Sequence, residues 1–409
     1  MIPLEILSLA TLSFWILLAL DRSRAWPTEL RLTEEASLPP DGPAAPPPSV
    51  VAVVPARDEA SVLPETLPAL LAQEDPELRV VLVDDASSDD TASVAQEVAQ
   101  AAGLDDRLRV ITAETTPAGW TGKVHALACG VAAVAEAFPE GEGPDWILFT
   151  DADILHRPGS VRALLARALG AEGYDLVSVM ARLQAETFWE RLLVPPFVFF
   201  FQLLYPFRRV KRPGSRVAAA AGGCVLLRRS TLEAAGGLES IRGEGIDDVA
   251  LAKRVKAISG RLWLGFDAGI RSRRSYRSLG GLWNMVARTA FVQLRHRWAL
   301  LLLVLVALAL FLAAPAFVAL AAGSWLGLGG GGGAEPSLVR AVVWSLLAWV
   351  LSARAILPAV RHHRVPGAYA WTLPLAAILY GAMTLSSAWR HLAGRATRWK
   401  GRSYGAAAR

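Results

Sequence analysis

Residues 146–153 read Trp-Ile-Leu-Phe-Thr-Asp-Ala-Asp, and the fold is decided here. The apolar run Trp146 to Phe149 predicts a buried strand that stops at two acids, Asp151 and Asp153. In extended backbone, residues i and i+2 share a face. Beyond the strand end both carboxylates can therefore approach a divalent cation, a hard ion that prefers carboxylate oxygen and keeps water and phosphate ligands. The same grammar recurs on either side. Val50 to Val54 runs into Pro55-Ala56-Arg57-Asp58-Glu59, and Leu78 to Val83 runs into Asp84-Asp85; Leu108 to Thr112 and Leu176 to Val179 are further strands. Helices are predicted over Ala60 to Leu71, Thr91 to Ala102 and Lys123 to Ala137. Such alternation predicts an α/β domain with a mostly parallel central sheet that takes ligands at its carboxyl edge.

Composition sets the limits around that domain. Of 409 residues 53% are hydrophobic and 19% charged, which excludes a disordered chain and leaves room for more than one domain. The formal charge is +5, but the basic residues flank apolar runs, so no nucleic-acid partner is expected. Cys129 and Cys224 lie far apart without metal-ligand spacing and read as isolated buried thiols, as suits a reducing cytosolic face.

The apolar run Ile6 to Leu20 predicts a membrane anchor. Glu5 precedes it and Arg22 and Arg24 follow, which places residue 21 onward in the cytosol. Leu38 to Pro48 holds six prolines and predicts a semi-rigid spacer. Ala299 to Gly323 and Val365 to Trp389 are each 25 residues without a charge, the length and purity of spanning helices. Val339 to Leu357 is a third span despite Arg340 and Arg354, and Gly329 to Gly333 is a flexible connector. One conflict stands. The tail Arg390 to Arg409 has six basic residues and no acid, so it should be cytosolic, yet three full crossings would leave it outside. Either one segment is re-entrant or fails to cross, or the tail breaks the tendency.

Two acidic pairs carry alternative readings. Asp89 or Asp90 caps the helix starting near Thr91. Asp247-Asp248, at the start of the helical run Val249 to Ala257, either serves the helix dipole or presents a carboxylate base that deprotonates an acceptor hydroxyl.

The order of these features carries a resemblance. Val53-Val54-Pro55-Ala56-Arg57-Asp58-Glu59, Val83-Asp84-Asp85, Thr150-Asp151-Ala152-Asp153, Gly222-Gly223-Cys224 and Asp247-Asp248-Val249-Ala250-Leu251 together resemble membrane-bound glycosyltransferases of family 2, with the GT-A fold. Gly119-Trp120-Thr121-Gly122-Lys123 and Arg398-Trp399-Lys400-Gly401-Arg402 narrow the likeness to the hopene-associated glycosyltransferases, with ceramide glucosyltransferases more distant. The resemblance implies that Pro55, Ala56, Arg57 and Glu59 line a nucleotide pocket, and that Asp84 or Asp85 bonds the base of a nucleoside-diphosphate (NDP) sugar, taken as a UDP-sugar. It implies Asp153 as the ligand of Mg²⁺ or Mn²⁺, Asp151 near the ribose or sugar, and Lys123 as a second positive charge or a solvated helix-start lysine. Asp248 is implied as the general base in one inverting displacement, with Asp247, in place of the usual glutamate, in support. Gly222, Gly223 and Cys224 form either an acceptor-side wall or a tight structural turn.

One motif departs from the family. Gln293-Leu294-Arg295-His296-Arg297-Trp298 has an extra residue relative to Gln-x-x-Arg-Trp, which on a helix rotates Gln293 by about 100° from the Arg-Trp pair. That weakens the reading as a processive polysaccharide synthase, and Arg297 and Trp298 serve equally as interfacial anchors. Phe188 to Phe207, rich in aromatics and followed by Arg208, Arg209, Lys211 and Arg212, predicts an interfacial helix broken at Pro195 and Pro196, with a buried helix as the alternative. The expected organisation is an anchor at 1–22, a linker at 23–48 and a cytosolic GT-A domain at 49–280 that includes the interfacial segment 188–212. Interfacial and transmembrane helices at 281–389 and a basic tail at 390–409 follow. The expected activity is transfer of a sugar to a hydroxyl of a membrane lipid, of hopanoid type, at a bacterial inner membrane. The alternatives are the polysaccharide synthase and a non-catalytic membrane scaffold.

Overall fold

The computed structural model describes residues 2–32, 48–74, 78–137, 143–325, 336–393, 397–399 and 402–404. The Gly329 to Gly333 connector and all but Pro48 of the proline-rich spacer lie outside the described residues. In chain order the elements are α1 (Ile2–Leu20), β1 (Val50–Ala56), α2 (Leu63–Leu71), β2 (Leu78–Asp84), α3 (Thr91–Ala101), β3 (Leu108–Thr112), α4 (Gly122–Ala137), β4 (Trp146–Thr150), β5 (Ile154–Leu155), α5 (Ser160–Leu169) and β6 (Leu176–Arg182). There follow α6 (Phe188–Leu204), α7 (Phe207–Lys211), β7 (Cys224–Arg228), α8 (Arg229–Ala234), α9 (Asp247–Ala257), β8 (Leu262–Ser272), α10 (Leu279–Gln293), α11 (Trp298–Trp325), α12 (Pro336–His362), α13 (Leu373–Leu392), β9 (Thr397–Trp399) and β10 (Arg402–Tyr404).

Two compact units divide the chain. The first comprises residues 1–26, 185–204 and 276–395, and the second residues 27–184, 205–275 and 396–409. Within the expected 49–280 domain, residues 185–204 group with the first unit and residues 205–275 with the second.

The α/β unit holds an eight-stranded sheet in the order β3-β2-β1-β4-β7-β6-β8-β5. From β3 to β4 every pairing is parallel. β7 then runs antiparallel between β4 and β6, which turns the far half into a mixed sheet. Val50, Val51, Ala52, Val53, Ile147 and Leu148 are buried completely, as expected of parallel strands covered on both faces. Gly130 lets α4 lie close on that sheet: a Cβ there would stand 2.4 Å from Val53 Cγ1 and 2.9 Å from Val83 Cγ2. Part of the predicted linker joins the unit, since Phe266 N donates to Leu30 O at 2.8 Å and Leu32 N to Phe266 O at 3.0 Å. α2 starts at Leu63, later than the predicted Ala60, with Pro64 in its first turn, where a missing N–H leaves nothing unpaired.

In the helical unit, α6 begins with a reciprocal cap. Glu190 N donates to Thr187 Oγ1 at 3.3 Å, and Thr187 N donates to Glu190 Oε2 at 3.0 Å. The helix runs unbroken through Pro195 and Pro196, which corrects the predicted break. Each proline removes a hydrogen bond at about 3 kcal/mol or more, and the burial of Leu192, Leu193, Val194 and Val198 around them offsets it.

α1 and α12 are parallel, with Arg340 Nη2 at their shared start 2.7 Å from Glu5 Oε1 and His362 at the far end 5.8 Å, ring to ring, from Trp26. α11 packs against both, its Phe311 ring 4.7 Å from Trp15. After α12 the chain folds back along it, with Gly367 against Leu357 and Trp349 Nε1 donating to Trp371 O at 3.0 Å. α13 then descends antiparallel to α11, Gly381 facing Leu305 and Leu308, until His391 stacks on His296 at 4.2 Å. The predicted span Val365 to Trp389 is thus made of a 3-10 turn, Gly367–Thr372, followed by α13, and its end meets the residues just before α11. Among the described residues two helical stretches, Pro336–His362 and Gly367–Leu392, are long and apolar enough to cross a membrane, and Leu4–Leu20 and Trp298–Phe311 are shorter apolar stretches. Gln293 does not share a helix with Arg297 and Trp298. Arg295 and His296 adopt φ of 52° and 54° and end α10, so the rotation argued for that motif does not apply.

Candidate active site

The carboxyl ends of β1, β2 and β4 meet the start of α4 and the start of α9. Asp85 N donates to Ala56 O at 2.8 Å, Thr121 N donates to Arg242 O at 2.7 Å, and these bonds tie the loops of the site together. A small cleft opens between them, lined by Pro55, Lys123, Asp151, Gly222, Asp247 and Asp248 together with apolar residues including Leu127, Phe149, Val225 and Leu251.

Lys123 is the hub. Its Nζ lies 2.8 Å from Asp151 Oδ1 and 3.5 Å from Asp247 Oδ2. Burial works to lower its pKa, but Asp151, Asp247 and Asp248 drive it above the usual lysine value. Asp151 is shifted upward by burial and by the charges of Asp153 and Asp247, against the pull of Lys123. Asp248 accepts the Gly222 amide at 2.7 Å on Oδ2 and the Val249 amide at 2.7 Å on Oδ1. Burial, then the neighbouring Asp247, pushes its pKa up to about 7, opposed by Lys123 and the two amides. A carboxylate poised there can take a proton from a hydroxyl at neutral pH.

Asp153 is braced from the end of β8. Ser272 Oγ donates to its Oδ2 at 2.6 Å, and Arg274 Nε lies 3.4 Å from the same oxygen. Arg274 Nη2 also donates to Glu59 Oε1 at 2.5 Å. The sequence does not single out Ser272, and Arg274 reads there only as part of a basic cluster with Arg271, Arg273 and Arg277 at the membrane surface. Ser272 and Arg274 arrive from the end of β8, more than a hundred residues after the acids they hold, and only the antiparallel pairing of β5 on β8 brings them there.

The remaining predicted residues divide between loop and sheet. Arg57 Nη1 donates to Asp85 O at 2.6 Å and stands 3.8 Å from Asp85 Oδ2. Asp84 accepts from Ser87 N at 3.2 Å and from the Ser87 hydroxyl, so it shapes the loop. Asp89 receives the Thr91 amide at 3.2 Å while Asp90 makes no side-chain cap, which settles that alternative. Cys224 is fully buried, its thiol pushed up by burial, and Gly223 faces Ile154. Of the predicted acceptor-side wall, Gly222 lines the cleft, while Gly223 sits in the turn before β7 and Cys224 is its first strand residue. Behind β4, His156 bonds Thr150 Oγ1 at 2.9 Å and Ser160 Oγ at 3.1 Å; burial lowers its pKa to about 4, and it is neutral.

A divalent ion fits the acids at the end of β4. Among the described residues no three His, Cys, Asp or Glu side chains converge as a protein cage. Yet Asp151 is a half-buried oxygen donor facing two further negative charges, and an ion held by one or two carboxylates plus substrate phosphates needs no cage.

Residues 51–236 match Glycosyl transferase family 2, and the α/β unit is a glycosyltransferase domain of that family with the GT-A fold. The protein is accordingly an enzyme of the glycosyltransferase class. Among solved structures the chain is similar to the mannosyltransferase PcManGT from Pyrobaculum calidifontis in complex with GDP-Man and Mn²⁺, at 21% identity and a TM-score of 0.52, covering 95% of this chain and 99% of that one. It is also similar to glucosyl-3-phosphoglycerate synthase from Mycobacterium tuberculosis, at 21% identity and a TM-score of 0.40, covering 60% of this chain and 78% of that one. A search of the curated proteins finds no match.

Proposed function

We propose that the protein is an inverting, metal-dependent glycosyltransferase that moves one sugar from an NDP-sugar to a hydroxyl of a membrane lipid. One observation carries the reading: Asp248, pushed up to about 7, shares a single cleft with Lys123 and Asp151. Asp248 takes the proton of the acceptor hydroxyl as its oxygen attacks the anomeric carbon, and the NDP departs from the opposite face. The Gly222 and Val249 amides hold the carboxylate in place for that transfer. Lys123 supplies positive charge to the departing diphosphate. A divalent ion held by Asp153 and Asp151 would neutralise the charge that develops on the leaving group. Arg57, Glu59, Asp84 and Asp85 form the nucleotide side, and Asp247 supports Asp248 through its charge.

The lipid acceptor rests on the apolar helices, which fit a membrane by length and composition, and the hopanoid-type acceptor on the likeness of Gly119 to Lys123 and Arg398 to Arg402. A cytoplasmic catalytic unit follows from Arg22, Arg24 and the basic tail. A UDP-sugar is the first donor to test, with GDP-mannose, present in the mannosyltransferase complex, beside it. The test is nucleotide release by detergent-purified protein with Mn²⁺, a panel of NDP-sugars and lipid extract. Release that requires both metal and lipid supports the reading; release indifferent to lipid in every donor removes the lipid acceptor.

A further inference from the structure

The acids at the end of β4 each meet a cation of the chain itself. Lys123 Nζ sits 2.8 Å from Asp151 Oδ1 and reaches Asp247 at 3.5 Å, while Arg274 spans Asp153 and Glu59. The two cations differ in their anchoring. Arg274 is fixed at both ends of its guanidinium and belongs to a strand terminus braced by the Ser272 hydroxyl. Lys123 holds its partners with one ammonium on a flexible four-carbon stem, and it lines the open cleft.

Resting on the function proposed above, we infer that Lys123 is an internal counter-ion that competes with the divalent metal for Asp151 and yields it when a nucleoside diphosphate enters the cleft. The ammonium and a metal ion seek the same carboxylate oxygen, and both carry charge that the buried acids need. The diphosphate offers the ammonium a second anionic partner within the same cleft. Once Lys123 turns to it, Asp151 is released to the metal, so nucleotide raises metal affinity and, by linkage, metal raises nucleotide affinity. Order of binding is thereby built into one side chain. The site takes metal and donor together and holds a bare ion poorly.

The consequence is a pair of shifts with opposite signs. Removing the ammonium relieves competition and repulsion at Asp151, since charges a few ångströms apart act on one another more strongly in a site partly withdrawn from water. It also strips the diphosphate of a partner. A helix-start lysine without this role would move neither affinity, and a damaged fold would weaken both.

The experiment measures binding on the full chain in detergent. Mn²⁺ alone is titrated by loss of its free-ion electron paramagnetic resonance signal, and UDP and GDP are titrated calorimetrically without metal, for wild type, Lys123→Met and Asp153→Ala. Lys123→Met is expected to bind Mn²⁺ alone about fivefold tighter or more, and to bind metal-free nucleotide about fivefold more weakly. Unchanged or weaker Mn²⁺ binding in Lys123→Met overturns the inference, with Lys123→Gln giving the same reading if the methionine variant does not fold. If instead Asp153→Ala binds Mn²⁺ together with nucleotide as well as wild type does, the assignment of the metal–diphosphate site itself fails, and the counter-ion inference falls with it.

Discussion

The Gly222 amide donates to Asp248 Oδ2 at 2.7 Å, and a Cβ at position 222 would stand 3.2 Å from that oxygen and 3.3 Å from Lys123 Nζ. The residue that holds the base is thus also the one whose lack of a side chain leaves base and lysine in place. Gly222→Ala is expected to displace both by a few tenths of an ångström and to lower kcat by about 10- to 100-fold, because reactive geometry tolerates little misplacement. Circular dichroism should remain that of wild type. Unchanged kcat would mean that Asp248 has room to spare.

Asp248 sets the pH dependence. The base acts deprotonated, so log kcat/KM should rise with unit slope on the acid side of about 7 and level off above it. The charge of Asp247 contributes to that elevation, so in Asp247→Asn the midpoint should move to lower pH whatever the residual rate. The stability sign is the reverse. Since the folded state holds the Asp248 proton more tightly than the unfolded chain does, stability attributable to this group falls as pH rises from about 4 to 7. Asp248→Asn should accordingly raise Tm at pH 8, by about 2–4 °C for each kcal/mol of strain relieved. Tm measured at pH 5 and pH 8 for both proteins checks this.

His156 predicts acid lability. Its folded pKa of about 4 lies below the unfolded value of about 6.5, so its contribution is complete above 6.5 and is lost as pH falls toward 4. The loss is on the order of 2–3 kcal/mol for a group this buried. Denaturant unfolding between pH 7 and pH 4 should show that slope, and His156→Gln, able to bond Thr150 and Ser160 without titrating, should flatten it.

Gly130 offers a test of the sheet. A methyl group there meets two valines at 2.4 Å and 2.9 Å, and overpacking of that kind typically destabilises by about 1–3 kcal/mol. Gly130→Ala should lower the unfolding midpoint while leaving the pH midpoint of activity in place.

The parallel half of the sheet was legible because each strand is an apolar run stopped by acid, and the runs at Val50, Leu78, Leu108 and Trp146 appear in the structure within one or two residues of their predicted bounds. Lys123, Asp151, Asp247 and Asp248 were legible as residue types, and the fold brings them to one cleft. Arg274 was not, since its meeting with Asp153 depends on how the far half of the sheet closes. Pro195 and Pro196 misled because local propensity predicts a break, whereas burial around them sustains the helix. The topology conflict in the C-terminal region was visible in the charges of the tail, whereas the contacts that shape that region, Trp349 with Trp371 and His296 with His391, are encoded in no hydropathy pattern.

The central claim is that Asp248 is the base of a sugar transfer to a lipid. Its most direct test is mass spectrometry of lipid extract incubated with Mn²⁺, the donor panel and either wild-type protein or Asp248→Asn of matched Tm and nucleotide affinity. The account predicts a lipid heavier by one sugar residue with wild type and a loss of at least about a hundredfold with the variant. Equal product from both proteins would contradict it.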